Sequence, residues 1–249
     1  MRSSRVAGMA DTDGRIALVD ALIDDEAVAS DEPAGTIGRL QRLCTALVRA
    51  LPASGAGVSL INEDHTGGGM AAASAPLSRR LEELEFTHGE GPSIAAFDLR
   101  RPVLEPDLAG RGVRRWPGYA PDASGLGIRA VFAFPLQIGA ARLGTLEIYR
   151  DEPGPLSARA LRQAFTFAEV ALALLLDGQD GATAAGLDDV LAYRAEVYQA
   201  QGMVMIDLGV SLTEAMARLR GHAYAENRYL SDVARDVVAG KLTLDLDSV

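Results

Sequence analysis

Nine consecutive residues, Gly178-Gln179-Asp180-Gly181-Ala182-Thr183-Ala184-Ala185-Gly186, break every hydrophobic period in this chain. Their small and polar side chains have linker composition and offer no face that a core could bury. Strand-like and helix-like patterns alternate upstream of the break, and only helical patterns occur downstream of it. Two folding units are therefore expected. With 249 residues, 48% of them hydrophobic, the chain can bury one substantial core and leave roughly 60 to 70 residues for a smaller unit. The expected organisation is an N-terminal extension over 1–34, partly helical, a larger domain over 35–177, the linker 178–186, and a small helical module over 187–249.

The larger domain opens with Ile37, Leu40, Leu43, Cys44, Leu47, Val48 and Leu51, a helical stripe that Pro52 ends. Residues 57–61 then read as a strand, 62–69 as a turn and 70–74 as a partner strand. Leu77, Leu81 and Leu84 restore helical spacing, and Pro92 suits the start of a short helix over 93–97. The strongest β signal is the pair 131–138 and 144–149 around Gly139-Ala140-Ala141-Arg142, with Pro135 marking a bulge or an edge. From 156 to 176, Leu161, Phe165, Ala168, Leu172 and Leu175 form a stripe on one long helix. That stripe leads into the second unit and predicts a parallel homodimer.

Three helical patterns fill the second unit. Val197, Ala200, Val204 and Leu208 line the first, and Gly209 stands where a left-handed cap needs glycine. Ser211-Leu212-Thr213-Glu214 matches a capping box, opening a helix with Leu212, Ala215, Met216, Leu219 and Ala223 inside. The third follows Asn227 with Leu230, Val233, Ala234, Val237 and Val238. No stripe is large enough to be stable alone, so the three helices must pack on one another or on a partner.

Motifs for chemistry are missing. The three histidines, His65, His88 and His222, lie in separate segments, and the one cysteine, Cys44, sits in a leucine-rich stripe as a packing residue. Zinc spacing, a phosphate loop with its lysine, and a serine elbow are all absent from the sequence, so neither a metal nor a catalytic residue is expected. The apolar run 171–176 is fenced by Glu169 and Asp177 and is far shorter than the roughly 20 residues a membrane-spanning helix needs. No apolar h-region follows Met1-Arg2-Ser3-Ser4-Arg5 before Asp11, so the expected compartment is the cytoplasm. A net charge of −10 means that any nucleic-acid contact must be local.

Two stretches carry a family resemblance. His88-Gly89-Glu90-Gly91-Pro92-Ser93-Ile94-Ala95-Ala96-Phe97, Arg101-Pro102-Val103, Arg115-Trp116-Pro117-Gly118, Ala130 to Leu136 and Leu143-Gly144-Thr145-Leu146 resemble the GAF domains of actinobacterial regulators. Tyr198-Gln199-Ala200-Gln201-Gly202-Met203-Val204-Met205, Glu214-Ala215, Leu219-Arg220, Ala223, Asn227-Arg228, Leu230 and Val233-Ala234 resemble the ANTAR module. The resemblance implies an α/β (α+β) fold: a GAF-like antiparallel sheet flanked by helices, followed by a three-helix ANTAR-like module. It also implies a transcription antitermination regulator whose partners are RNA stem-loops near terminators.

On that resemblance the candidate RNA-binding residues are Gln201, Arg218, Arg220 and Arg228. Where the family pattern carries lysine before the glycine, this chain has uncharged Gln201, and ten acidic against six basic residues leave the module 187–249 at −4. An acidic RNA binder must concentrate its arginines on one face. His88, Trp116, Tyr119 and Phe134 are candidates for a sensor pocket whose small-molecule or protein signal, and any cofactor, is unknown; haem would need an axial histidine and a bilin a suitably placed cysteine. The other reading is a protein-binding or dimerisation regulator whose acidic helical tail contacts protein instead of RNA, with DNA binding third because no helix has a basic face.

Overall fold

The computed structural model describes residues 14–28, 33–62, 68–177, 190 and 194–245. The expected linker, and the first 13 residues of the expected extension, lie outside the described residues. A helix at 14–24, α1, buries Val19 and Ile23 in the main core. The next elements are α2 (Thr36–Ala50), β1 (Gly55–Ile61), β2 (Gly68–Ala73), α3 (Pro76–His88), α4 (Pro92–Leu99) and β3 (Val103–Glu105). A π turn at Leu108–Gly112 leads into α5 (Val113–Arg115) and α6 (Tyr119–Gly125), and β4 (Ala130–Ile138), β5 (Ala141–Arg150) and α7 (Ala158–Asp177) complete the first unit. The second unit is α8 (Ala195–Leu208), α9 (Leu212–Ala225) and α10 (Leu230–Val238).

The five strands form one antiparallel sheet in the order β2-β1-β5-β4-β3. Both of its faces are covered, and the period-2 geometry of strands divides the side chains between them. Val58, Leu60, Phe132, Phe134, Leu136, Leu146 and Ile148 face α1, α2 and α7, whereas Val131, Ala133 and Tyr149 face α3, α4 and α6. Cys44 is fully buried on the first side, and burial pushes its thiol up to about 12. Pro135 lies on β4 beyond the three positions paired to β3, so its missing N–H interrupts no ladder there; a register shift against β5 follows between Leu136 and Gln137.

The buried face of α7 differs from the sequence stripe. Ala160, Ala164, Phe167, Ala168, Ala171, Leu174 and Leu175 pack inward, while Phe165 is 43% exposed, its ring edge-on to Phe134 at 5.3 Å. Alanines let α7 approach α2 and the sheet closely, and such small residues barely register in a pattern of large apolar side chains. Leu175 thus belongs to the chain's own core, and substituting it would damage the fold rather than probe a subunit contact.

In the second unit Val197, Ala200, Val204, Ala215, Leu219, Ala223, Leu230, Val233, Ala234 and Val237 form the core. Leu212, expected inside, is 52% exposed: it lies in the first turn of α9, where residues 211–214 all face solvent. The Ser211 hydroxyl accepts the Glu214 N–H at 3.2 Å, and Gly209 ends α8 at φ 65°. A sensor residue, Phe86, belongs to this same core.

Candidate functional site at the junction of the two units

Helix α3 joins the units because both of its long faces are used. Leu81 and Leu84 pack toward the sheet, whereas Glu82 and Phe86, and beside them Glu83 and Thr87, recur at i, i+4 and face the second unit. Arg194, at the entry to α8, is ion-paired with Glu82 and stacks on Phe86 with its guanidinium carbon 3.3 Å from the ring centroid. Its side chain is only 8% exposed.

The start of α10 depends on the sensor. Tyr229 occupies its N-cap and offers no cap hydrogen bond. Thr87 Oγ1 instead accepts the Leu230 N–H at 3.1 Å, and Glu83 Oε1 accepts from the Ser231 hydroxyl at 2.6 Å and from its N–H at 3.4 Å. Two of the donors that a helix start leaves unpaired are thereby served across the interface, one of them by a carboxylate that suits the helix dipole.

The segment after α3 builds the joint residue by residue. His88 Nε2 lies 2.8 Å from Asp122 Oδ2, and its ring meets Tyr224 edge-on at 6.0 Å. Gly89 ends α3 in the left-handed region at φ 68°; a Cβ there would lie 2.7 Å from Nη1 of Arg220, which comes from α9. Glu90 Oε1 accepts the Gly118 N–H at 2.7 Å and the Tyr119 N–H at 3.1 Å, fixing the start of α6. Gly91, at φ 153°, leaves room for Glu85, whose Oε1 would lie 2.5 Å from a Cβ at that position. Pro92 starts α4, and Ser93 uses both its donors: its N–H goes to Glu85 Oε1 at 2.9 Å and its hydroxyl to Glu147 Oε2 at 2.7 Å.

Glu85 and Glu147 are buried together, 3% and 7% exposed. Burial, and then the charge of Glu147, hold the Glu85 carboxyl well above its ordinary range; burial raises Glu147 too, against the Ser93 hydrogen bond that lowers it. The two carboxyls therefore titrate as a pair, and both favour the protonated form more than an exposed carboxyl does. Burial raises Glu82 as well, with Arg194 acting in the opposite direction.

Between β1, α3, α4, Arg194 and Arg220 lies a cavity of about 240 Å³, with Ser59, Glu82, Glu85, Ser93 and Asp98 among its lining residues. Arg220 is half-buried, and the desolvation lowers its affinity for its proton. Among the described residues no carboxylate pairs with it, and its Nε is sealed from solvent without a hydrogen-bond partner, as is Nε of Arg194.

The structure distributes the candidate residues over several places. Trp116 and Tyr119 are buried together in the α3/α4/α6 side of the core, Arg115 lies over the Trp116 ring, and the Tyr119 hydroxyl has no hydrogen-bond partner among the described residues. Phe134 faces the opposite side of the sheet. His88 is at the joint, lining grooves against α9. Among the RNA-binding candidates, Arg218 pairs with Glu214 at 3.0 Å, Arg228 with Asp236 at 2.6 Å, and Gln201 Nε2 donates to the Leu212 carbonyl at 2.8 Å. Arg220 alone turns into the cavity. Sequence reasoning missed Glu82, Glu83, Glu85, Thr87, Ser93, Glu147 and Arg194. A usable signal existed for Glu147, a carboxylate between Leu146 and Ile148 in the middle of a strand.

Comparison with known proteins follows the same division. The GAF domain profile matches residues 38–176, and the ANTAR domain profile matches residues 185–238. No curated protein sequence matches the chain. Among solved structures, the GAF domain of a phosphoenolpyruvate-protein phosphotransferase from Coxiella burnetii is 15% identical, with a TM-score of 0.50 over 68% of this chain and 94% of that one. The corresponding Acinetobacter GAF domain is 11% identical with a TM-score of 0.49, again over 68% and 94%. The free methionine-R-sulfoxide reductase of Neisseria meningitidis is 14% identical with a TM-score of 0.47, over 66% and 87%. At such identities the likeness concerns the fold alone. The sheet with its flanking helices and the three-helix tail agree with the two profiles, and the chain belongs to the GAF domain family, with an ANTAR domain following its GAF domain.

Proposed function

We propose that this chain is a signal-responsive transcription antitermination regulator in which the GAF sensor controls RNA binding by the ANTAR module. One observation carries the reading: Arg220, a candidate RNA contact, is turned into the junction with the sensor and lies against Gly89. A module docked in this way withholds that cation from phosphate, and undocking releases it. Arg218 and Arg228 are held by partly exposed carboxylates, pairs of little net worth that a phosphate can replace. A homodimer of the cytoplasmic protein would offer two modules to paired hairpins, where effective concentration multiplies the affinity of each.

Crosslinking in cells followed by sequencing of the bound RNA tests the proposal, with enrichment of paired hairpins next to terminators as the expected result. The second reading, a module that binds protein, is favoured by the −4 charge of the module and by its self-paired arginines. It takes over if the purified protein binds no hairpin RNA at any salt concentration, since phosphate-driven binding must strengthen as salt is lowered.

A further inference from the structure

We infer that the cavity between the sensor and the output module is a binding site for a small organic anion, a carboxylate or a phosphate ester, clasped by Arg220 and Arg194, and that its occupation fastens the module to the sensor. The site is composite: Ser59, Glu85 and Ser93 come from the sensor, and both arginines come from the second unit.

Four observations converge on an anion. Arg220 is desolvated without a counter-ion among the described residues, and a guanidinium so placed gains most from a carboxylate or phosphate that it can grip through two N–H groups. Arg194, nine-tenths buried, spends one Nη on Glu82 and leaves its Nε edge unserved in the same cavity wall. The acidic residues weigh little against such a ligand: Glu82 is paired with Arg194, and burial holds the Glu85 carboxyl well above its ordinary range. The Ser93 hydroxyl is committed to Glu147, which leaves the arginines as the polar grip.

Size and charge limit the ligand further. About 240 Å³ is below the range of pockets that take drug-sized molecules, so the ligand has only a few heavy atoms. Asp98, exposed at the rim, opposes a polyanion such as a nucleoside triphosphate. An anion that bonds residues of both units binds the docked form better than the undocked one, so by linkage it shifts the module toward docking and away from RNA. That last consequence rests on the antitermination reading; the binding itself does not.

Thermal melting of the full-length protein with inorganic phosphate and, separately, pyruvate, each against chloride at matched ionic strength, tests the site. A rise that grows with the logarithm of probe concentration above Kd is expected with at least one probe, roughly 5 to 10 °C at about a hundredfold excess over Kd. Response to phosphate alone assigns a phosphate ester, and response to pyruvate alone a carboxylate. Arg220→Ala should abolish the rise and Arg220→Lys, which keeps the charge without the fork, should reduce it, while Arg218→Ala, outside the cavity, should leave it intact. Circular dichroism checks that each variant is folded. A flat response to both probes, or a folded Arg220→Ala that responds like the parent, overturns the site. Hairpin RNA binding is measured on the same samples: if RNA never binds but the probe does, the antitermination reading fails and the anion site stands.

Discussion

The Arg194 guanidinium lies over the Phe86 ring, 3.3 Å from its centroid, while Phe86 itself is part of the core of the second unit. A sensor side chain thus completes the output module, and an output cation seals the sensor. Stacking and the Glu82 ion pair act on one guanidinium, so this residue couples the two units through two contacts at once.

Arg194→Ala should undock the module. Removing one partner of a buried pair leaves Glu82 without its counter-charge, at a cost of roughly 3 to 5 kcal/mol unless the interface opens. Small-angle scattering should show a larger radius of gyration for this variant at unchanged helix content. An unchanged radius would mean that Arg194 does not hold the interface.

The capping of α10 across the interface gives a local measurement. Thr87→Val and Glu83→Ala each remove an acceptor from the start of α10, and the loss of a cap costs about 1 kcal/mol. Amide exchange at Leu230 and Ser231 should accelerate in both variants while the sheet amides stay as protected as before. Uniform acceleration would point to global destabilisation instead.

The buried carboxyl pair Glu85 and Glu147 sets a pH dependence. Both carboxyls are raised above the ordinary 4.5, so the folded chain binds protons more tightly than the unfolded chain does. Their stabilising contribution is complete below about 4.5 and is lost as pH rises through the folded values. Glu85→Gln, neutral at every pH and still able to donate to Glu147, should flatten the fall in melting temperature over that window. An identical pH slope in the variant would exclude this pair as its source.

Core and charge substitutions in the output module should separate fold from RNA binding. Leu219, fully buried, should cost roughly 2 to 5 kcal/mol on truncation to alanine and lose RNA only by unfolding. Arg220→Glu combined with Arg228→Glu should abolish hairpin binding with the helical spectrum retained: Arg228 is a partly exposed site, and a carboxylate at 220, facing Glu82 and Glu85, acts on the docking interface rather than on the three-helix core. Gln201→Lys should strengthen binding most at low salt and steepen the salt slope by up to about one unit. Gel shifts across a salt series with parallel circular dichroism report all three.

Cys44 should react with thiol reagents only after unfolding. Burial pushes its thiol up to about 12, so almost no thiolate exists in the native protein, and the α2 side of the core covers the sulfur. Labelling should therefore begin at the denaturant concentration where the sheet signal is lost. Rapid labelling in buffer would show that α2 opens independently.

Local rules were readable from the sequence wherever a residue's own neighbours decide its state. Leu40, Leu43 and Leu47 mark the inner face of α2, Ser211 caps α9, Gly209 ends α8, and the strands around 139–142 pair as a hairpin, because each depends on a period or a turn a few residues long. The 88–97 segment was legible only as a loop and short helix resembling a GAF domain, and the roles of Gly89, Glu90 and Ser93 at the junction came from the fold. What the sequence could not express was the partner across space. Arg220 reads as one more helix-surface arginine, and only docking against Gly89 strips it of water. Glu85 and Glu147 are ordinary carboxylates until the second layer of helices buries them side by side. The two faces of α3 show the reason: periodicity states that a face will be buried, but burial by the sheet or by another module is equivalent in hydrophobic free energy, and only the packed tertiary structure chooses between them.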